Sequence, residues 1–259
     1  MRFSYRDVRA SYSSEKAAQE KHDVMFRWFA RPLSFPIAWL ALRLALAPNH
    51  VTYLSLAGNC AALVMLASGR RSLMAAGVAV ALASLVLDAA DGNMARTARR
   101  FSLLGEWLEG VGAYVLYAGF HLAGGIGAWL SVVNGESVVA WVGRSDWSGA
   151  LVVLGAVAST SITLAALIAA KFAFVFPGVD RNKLVAKKGA GWYGALFTIG
   201  KNLSAPHGLV LPLTLVAIIV GRYELILGFY AIVNSAALLI FVWRCLVLAV
   251  RSGTVESAQ

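Results

Sequence analysis

Six largely apolar stretches, at about 51–68, 73–95, 103–130, 149–175, 193–220 and 223–249, fill most of this chain, with short polar breaks between them. A helix needs about 20 apolar residues to cross the hydrocarbon core of a bilayer, and each stretch is near or above that length. The expected fold is therefore all-α and integral to a membrane, with six transmembrane helices. Composition agrees. Hydrophobic residues make up 59% and charged residues 14%, against roughly 45–50% and 25% in soluble domains. So few polar side chains cannot coat a water-facing globule.

The breaks organise the rest. Residues 14–31 carry Val24, Met25, Trp28 and Phe29 at helical spacing beside Lys and Arg, the pattern of an amphipathic helix lying on the membrane. The apolar run from Leu33 to Ala47 holds Pro36 and Arg43 and is too short to span, so it also belongs to the interface. Pro48-Asn49 then starts a new helix. Gly69-Arg70-Arg71-Ser72 is a very short turn that makes the first two spans a tight antiparallel pair. The expected division is 1–50 for amphipathic and juxtamembrane helices, 51–250 for the membrane domain and 251–259 for a tail. Residues 1–30 are polar where a signal peptide would have its apolar core, so none is expected. Cys60 and Cys245 fall in apolar runs and read as buried small hydrophobes rather than a disulfide.

The net charge is +10, and the basic residues cluster between apolar runs, which suits anionic headgroups or a phosphorylated substrate at the membrane surface. Nucleic acid is excluded as a partner because no soluble basic module exists to bind it. The N-terminus, Arg96 to Arg100, the 181–201 loop and Arg251 fall on one side of a six-span topology. The positive-inside rule makes that side cytoplasmic, with both termini, and Arg70-Arg71 is the exception. Within the 181–201 loop, Lys187, Lys188 and Lys201 are the candidates for gripping an acceptor phosphate or a lipid headgroup. The glycines of the third stretch (Gly110, Gly112, Gly119, Gly124) are expected to serve close helix packing. His121 and Asn234 are expected to be satisfied polar groups between helices.

Charges inside spans cost about 2.5–3.5 kcal/mol each even on the lenient insertion scale, so each needs a reason. Of thirteen acids, Asp88, Asp91, Glu106 and Glu109 fall near the cytoplasmic ends of the second and third spans. Asp88 and Asp91 are three residues apart and share a helix face, and Glu106 and Glu109 repeat the spacing. Carboxylates on two facing helices repel unless a cation lies between them. All-oxygen ligands favour a hard divalent ion, and Mg²⁺ bound by few carboxylates usually completes its shell with substrate phosphates. A diphosphate substrate entering from the cytoplasm is the expectation. Gly92 and Ala95 leave room for a ligand beside the acids, Gly105 does so at the start of the partner helix, and Arg96, Arg99 and Arg100 supply positive charge.

The run Asp88-x2-Asp91-Gly92-x2-Ala95-Arg96-x8-Gly105-x3-Glu109-x3-Ala113 resembles the signature of the CDP-alcohol phosphotransferases, D-x2-D-G-x2-A-R-x8-G-x3-D-x3-D. The spacing matches throughout and six of eight identities hold. Arg31-Pro32-Leu33 and Pro48-Asn49-x2-Thr52 also resemble that family's juxtamembrane helix and first span. The resemblance implies a six-helix membrane fold, commonly dimeric, with a two-metal site (Mg²⁺ or Mn²⁺). It implies transfer of a substituted phosphate from a CDP-linked donor, such as CDP-diacylglycerol, to an acceptor with release of CMP. The acceptor would be a small or phosphorylated alcohol, the setting phospholipid biosynthesis, and the location a bacterial inner membrane. Asp88, Asp91 and Glu109 would be the metal ligands and catalytic carboxylates. Asn49, Thr52, Gly92, Ala95, Arg96 and Gly105 would border the substrate.

The chain departs from the pattern twice. Glu109 stands where the family has Asp, and Ala113 stands where the family's fourth acid binds metal and takes the acceptor proton. General-base catalysis typically contributes about 10²–10⁴-fold. Glu106, Tyr114 and Tyr117 are the nearby substitutes, and an acceptor already ionised needs no base. A catalytically silent relative that binds CDP-lipid is the main alternative, and a prenyl-diphosphate transferase the second. A transporter is disfavoured because the acids sit at one face without a second broken-helix repeat.

Overall fold

The computed structural model describes residues 3–136, 138–140, 146–177, 199–200, 202–203 and 206–256. Every regular element among them is helical, and none is a strand. Two short helices, α1 (Tyr5–Ala10) and α2 (Ser14–Gln19), lead to a 3₁₀ turn at Glu20–His22. A π-helical turn at Phe26–Ala30 then runs into α3 (Arg31–Arg43). Pro48 opens α4 (Pro48–Leu66), where its fixed φ and missing N–H suit the first turn. Gly69, at φ 73°, turns the chain in the left-handed region that glycine tolerates. Then come α5 (Arg71–Ala98), α6 (Leu103–Val133), α7 (Ala150–Val175), α8 (Leu211–Val220) and α9 (Tyr223–Glu256).

Four of these are long and apolar enough to cross a membrane: α5, α6, α7 and the Tyr223–Val250 part of α9. That is the signature of an integral membrane protein. The packing follows the chain: α4 lies against α5 and α6, α6 against α7, α7 against α9, and α8 against α5. Leu66, Met74, Val78, Phe120, Leu151, Ile218 and Leu227 fill the centre.

Small residues set how closely the helices approach. At the α6–α7 crossing, a Cβ on Gly125 would lie 2.6 Å from the Leu151 carbonyl oxygen, and the Gly125 and Gly155 backbones meet. Gly125→Leu is expected to lower the unfolding midpoint in detergent, since overpacking costs about 1–3 kcal/mol or more. Gly110→Ala is the matched control, because nothing lies within 4 Å of that position, and its midpoint should not fall. Gly110 is thus not a packing glycine as expected, whereas Gly119 abuts Leu63 and Gly124 abuts Tyr223.

Other expectations are corrected by the packing. Residues 14–31 do not form one flat amphipathic helix. The helix breaks at Glu20, which turns inward and is buried. The fifth stretch is not one continuous helix over 193–220. Residues 193–198 lie outside the described ones, and Gly208 has non-helical φ/ψ (−97°, −134°) just before the ten residues of α8. Cys60 is exposed, not buried, while Cys245 is buried, and both are free thiols. Asn234 Nδ2 donates to the Ala158 carbonyl at 3.1 Å, but its Oδ1 and His121 Nδ1 are buried without hydrogen-bond partners.

The first stretch also differs in kind. α4 is 19 residues long, but it is not among the helices apolar enough to cross a membrane by composition. Asn49, Thr52, Ser55 and Asn59 recur at three- and four-residue spacing on one face. Thr52, Ser55 and Asn59 are buried there. The polarity that dilutes α4 belongs to its inward face.

Candidate functional site

At one end of the bundle the start of α4, the last turns of α5 and the start of α6 come together under the N-terminal helices. Ser102 caps α6, its Oγ accepting the Gly105 N–H at 2.9 Å and donating to Asn49 Oδ1 at 3.0 Å. One serine therefore fixes the start of α6 against the start of α4. α5 ends where Arg99 adopts a left-handed φ of 50°, and the Arg100 N–H returns to the Ala95 carbonyl at 2.9 Å.

Asp88 and Asp91 stand half-buried on one face of α5, and Glu109 is exposed on α6. All three line one cavity of about 230 Å³, together with Arg31, Gly92 and Arg96. A second cavity, about 490 Å³, shares Asp91, Gly92, Arg96 and Glu109 with it and is bounded by Asn49, Thr52, Ala95 and Gly105. A third, about 190 Å³, reaches from Asp88 and Glu109 between α4, α5 and α6, past Ala113 to Tyr117. Glu109 is the acid that borders all three. Residues chosen from sequence positions as far apart as Asn49 and Glu109 are thus neighbours.

Asp91 is held by Thr52, whose Oγ1 donates to Oδ2 at 2.6 Å. Such a charge-assisted bond orients the carboxylate and leaves its other oxygen for a ligand. Arg96 Nη2 donates to Asn93 Oδ1 at 2.7 Å, while Arg96 Nε is buried without a hydrogen-bond partner. A Cβ on Gly92 would come within 3.3 Å of the Arg96 guanidinium, so the glycine gives that side chain its room.

The N-terminal segment forms the wall opposite the acids. Arg31, 4% exposed, pairs with the buried Glu20 through Nη2 and Oε1, and its Nε donates to Glu20 Oε2 at 3.1 Å. Arg31 Nη1 donates to Asn93 Oδ1 at 2.9 Å and to the Ala89 carbonyl at 3.1 Å. Asn93 therefore accepts from both Arg31 and Arg96. Tyr12 donates its hydroxyl to Glu20 Oε2 at 3.0 Å. Burial and that bond push the phenol up from its ordinary range, so it keeps the proton it donates. Asn202 ties the same segment down, accepting the Val24 N–H at 2.9 Å and donating to the His22 carbonyl at 2.6 Å.

Glu20, Asn93 and Asn202 carry no signal in the sequence strong enough to single them out. Asn93 sits at an unspecified position of the acidic motif, and Glu20 is one acid in a mixed-charge segment. Glu106 borders the larger cavity alone. Tyr117 lines the deep cavity, and Tyr114 is exposed. Lys187, Lys188 and Lys201 lie outside the described residues.

The donor set suits a hard divalent cation, since three carboxylates and a hydroxyl offer only oxygen. Among the described residues no three His, Cys, Asp or Glu side chains already form a closed ligand group. Asp88, Asp91 and Glu109 share a cavity without yet converging. Family models give no match for this chain, and neither do curated proteins.

Proposed function

We propose that the chain is a six-span membrane transferase that moves a substituted phosphate from a CDP-linked donor to an acceptor alcohol and releases CMP. The observation that carries this reading is the shared cavity: Asp91, Gly92, Ala95, Arg96, Gly105 and Glu109, together with Asn49 and Thr52, border one space. Those residues come from three helices, and the spacing that picked them out did not require them to meet.

Six spans add α4 and the segment that ends in α8 to the four long apolar helices. The site end of the bundle then faces the cytoplasm, because Arg96, Arg99, Arg100 and the basic N-terminal segment gather there. A second copy of the chain and surrounding lipids are its expected neighbours.

Asp88, Asp91 and Glu109 would hold Mg²⁺ or Mn²⁺, which supplies positive charge against the donor diphosphate. Arg96, which borders both of the cavities that Asp91 lines, offers its guanidinium to a phosphate oxygen. Asn49 and Thr52 shape the opposite wall. In the transfer, the acceptor oxygen forms a bond to the β-phosphorus, and the bond from that phosphorus to the bridging oxygen breaks. The electron pair and that oxygen leave with CMP. The acceptor proton passes to Glu109, the carboxylate common to all three cavities, in place of the acid absent at Ala113.

The test is CMP release by the purified protein in detergent with CDP-diacylglycerol, Mn²⁺ and a panel of acceptors. Metal-dependent release that needs an acceptor is the expected result. Tight donor binding with no release would instead identify a silent relative. No donor binding at all would refute the reading.

A further inference from the structure

One basic pair has no part in the site described so far. Arg70 and Arg71 stand at the start of α5, and Asp88 and Asp91 follow 17 and 20 residues beyond Arg71. That is about 26–30 Å along a helix at 1.5 Å per residue, so the pair lies at the other end of the bundle from the acids. The six-span topology puts that end outside, where the positive-inside rule disfavours arginine. The fold brings a third arginine to the same place. Arg71 donates through Nη2 to the carbonyl of Ile219, in the last turn of α8. Arg222 follows the left-handed Gly221 that ends that helix, and its N–H returns to the Ala217 carbonyl at 2.9 Å.

Of the three, Arg71 has a structural duty, since its guanidinium satisfies a carbonyl at the negative end of a helix. Arg70 is exposed, and its guanidinium has no partner among the described residues. Arg222, its side chain 53% exposed, is held by one long contact of 3.8 Å with Glu224. Glu224 turns inward and is buried, and Glu136, after α6, is the other described acid at this end. Three arginines against two carboxylates leave the rim positive. The surface below it is apolar: Leu73 on α5 and Val216, Ile219 and Val220 on α8 are exposed, and the two helices pack together. The depth is that of lipid headgroups. Gly69 abuts Leu130, next to the exposed Trp129, and tryptophan near the end of a span marks the boundary between lipid and water.

We propose that this rim binds an anionic phospholipid in the leaflet away from the acids, with Arg70 and Arg222 gripping its phosphate and the α5–α8 surface taking its acyl chains. The two halves of such a lipid match the two surfaces. A guanidinium presents paired N–H donors to phosphate oxygens, and the exposed apolar side chains lie directly beneath. A zwitterionic headgroup brings its own cation and gains less from the positive rim, and free phosphate has no chains for the apolar surface. The proposal stands apart from the transferase reading, because no residue of the carboxylate cavities takes part.

The test uses the full chain in detergent with EDTA, so that no divalent ion draws lipid phosphate to the acids. Native mass spectrometry titrates bound lipid, and unfolding midpoints are followed with dioleoylphosphatidylglycerol, dioleoylphosphatidylcholine or inorganic phosphate. Phosphatidylglycerol is expected to stay bound and raise the midpoint, phosphatidylcholine to do so more weakly, and inorganic phosphate not at all. Arg70→Gln combined with Arg222→Gln should weaken phosphatidylglycerol binding on the order of 20-fold, from about fivefold for each basic residue lost at a membrane surface. Both side chains are exposed, so its midpoint without lipid should stay close to the parent's. Arg70→Gln alone removes an unpartnered side chain and should cost about fivefold, which keeps the test open if the double substitution perturbs the turn. Arg70→Lys with Arg222→Lys keeps the charges and should retain most of the binding. Arg99→Gln with Arg100→Gln, at the other end of the bundle, should cost less than the Arg70 and Arg222 pair. Equal binding of the two lipids, a response to inorganic phosphate alone, unchanged binding in the Arg70 and Arg222 variants, or equal losses from the two pairs would overturn the proposal.

Discussion

Asp91→Asn is expected to cut metal-dependent CMP release by roughly 10³-fold or more while leaving the protein folded. The asparagine keeps an oxygen for the Thr52 hydroxyl, which now holds Asp91 at 2.6 Å, so the change removes charge and little else. Charge stabilisation by a bound ion is worth several kcal/mol in such a site, and each 1.36 kcal/mol is tenfold in rate. Calorimetric titration with Mn²⁺ should show affinity falling with activity. Thr52→Val isolates the orienting bond. It leaves the charge in place and should weaken Mn²⁺ binding about 10–100-fold, the usual effect of removing a partner behind a metal ligand. Unchanged release in Asp91→Asn would mean that the carboxylate cluster is structural.

Glu20→Ala should carry the largest penalty to stability. The Glu20–Arg31 pair is buried at both ends, with side chains 8% and 5% exposed. Removing one partner of such a pair leaves an uncompensated buried charge and costs about 3–5 kcal/mol. The consequence is local as well as global, because the pair holds α2 and the Glu20–His22 turn against α5. Trypsin should cut at Lys16 or Lys21 well before the rest of the chain unfolds, and the midpoint should drop. Glu20→Leu combined with Arg31→Met should recover much of the loss, since a well-packed apolar pair replaces a buried ion pair at little net cost. CMP release should also fall in Glu20→Ala, because Arg31 loses its partner and Asn93 then fixes Arg96 from one side only. A tryptic pattern identical to the parent's would show that Glu20 does not hold the segment.

The sequence determined the membrane helices and the acids on them. Span length is set by bilayer thickness and face by the helical period, and both are local quantities. α5, α6, α7 and α9 follow from apolar run length alone, and the i, i+3 spacing puts Asp88 beside Asp91 on α5. The notch left by Ala113 was visible in the same way. The turn at Gly69 and the start of α4 at Pro48 were equally legible, since each depends on the φ of one residue.

Only the tertiary structure decided what surrounds the acids. Arg31 and Asn93 are 62 residues apart in sequence and 2.9 Å apart in the fold. Nothing in residues 14–31 says that Glu20 will break its helix to meet an arginine. The first stretch reads as one more apolar span, and the polar face of α4 emerges only where α5 and α6 close over Thr52, Ser55 and Asn59. Periodicity and length are written along the chain, but hydrogen-bond satisfaction and the sign of a cavity wall belong to side chains that only packing brings together.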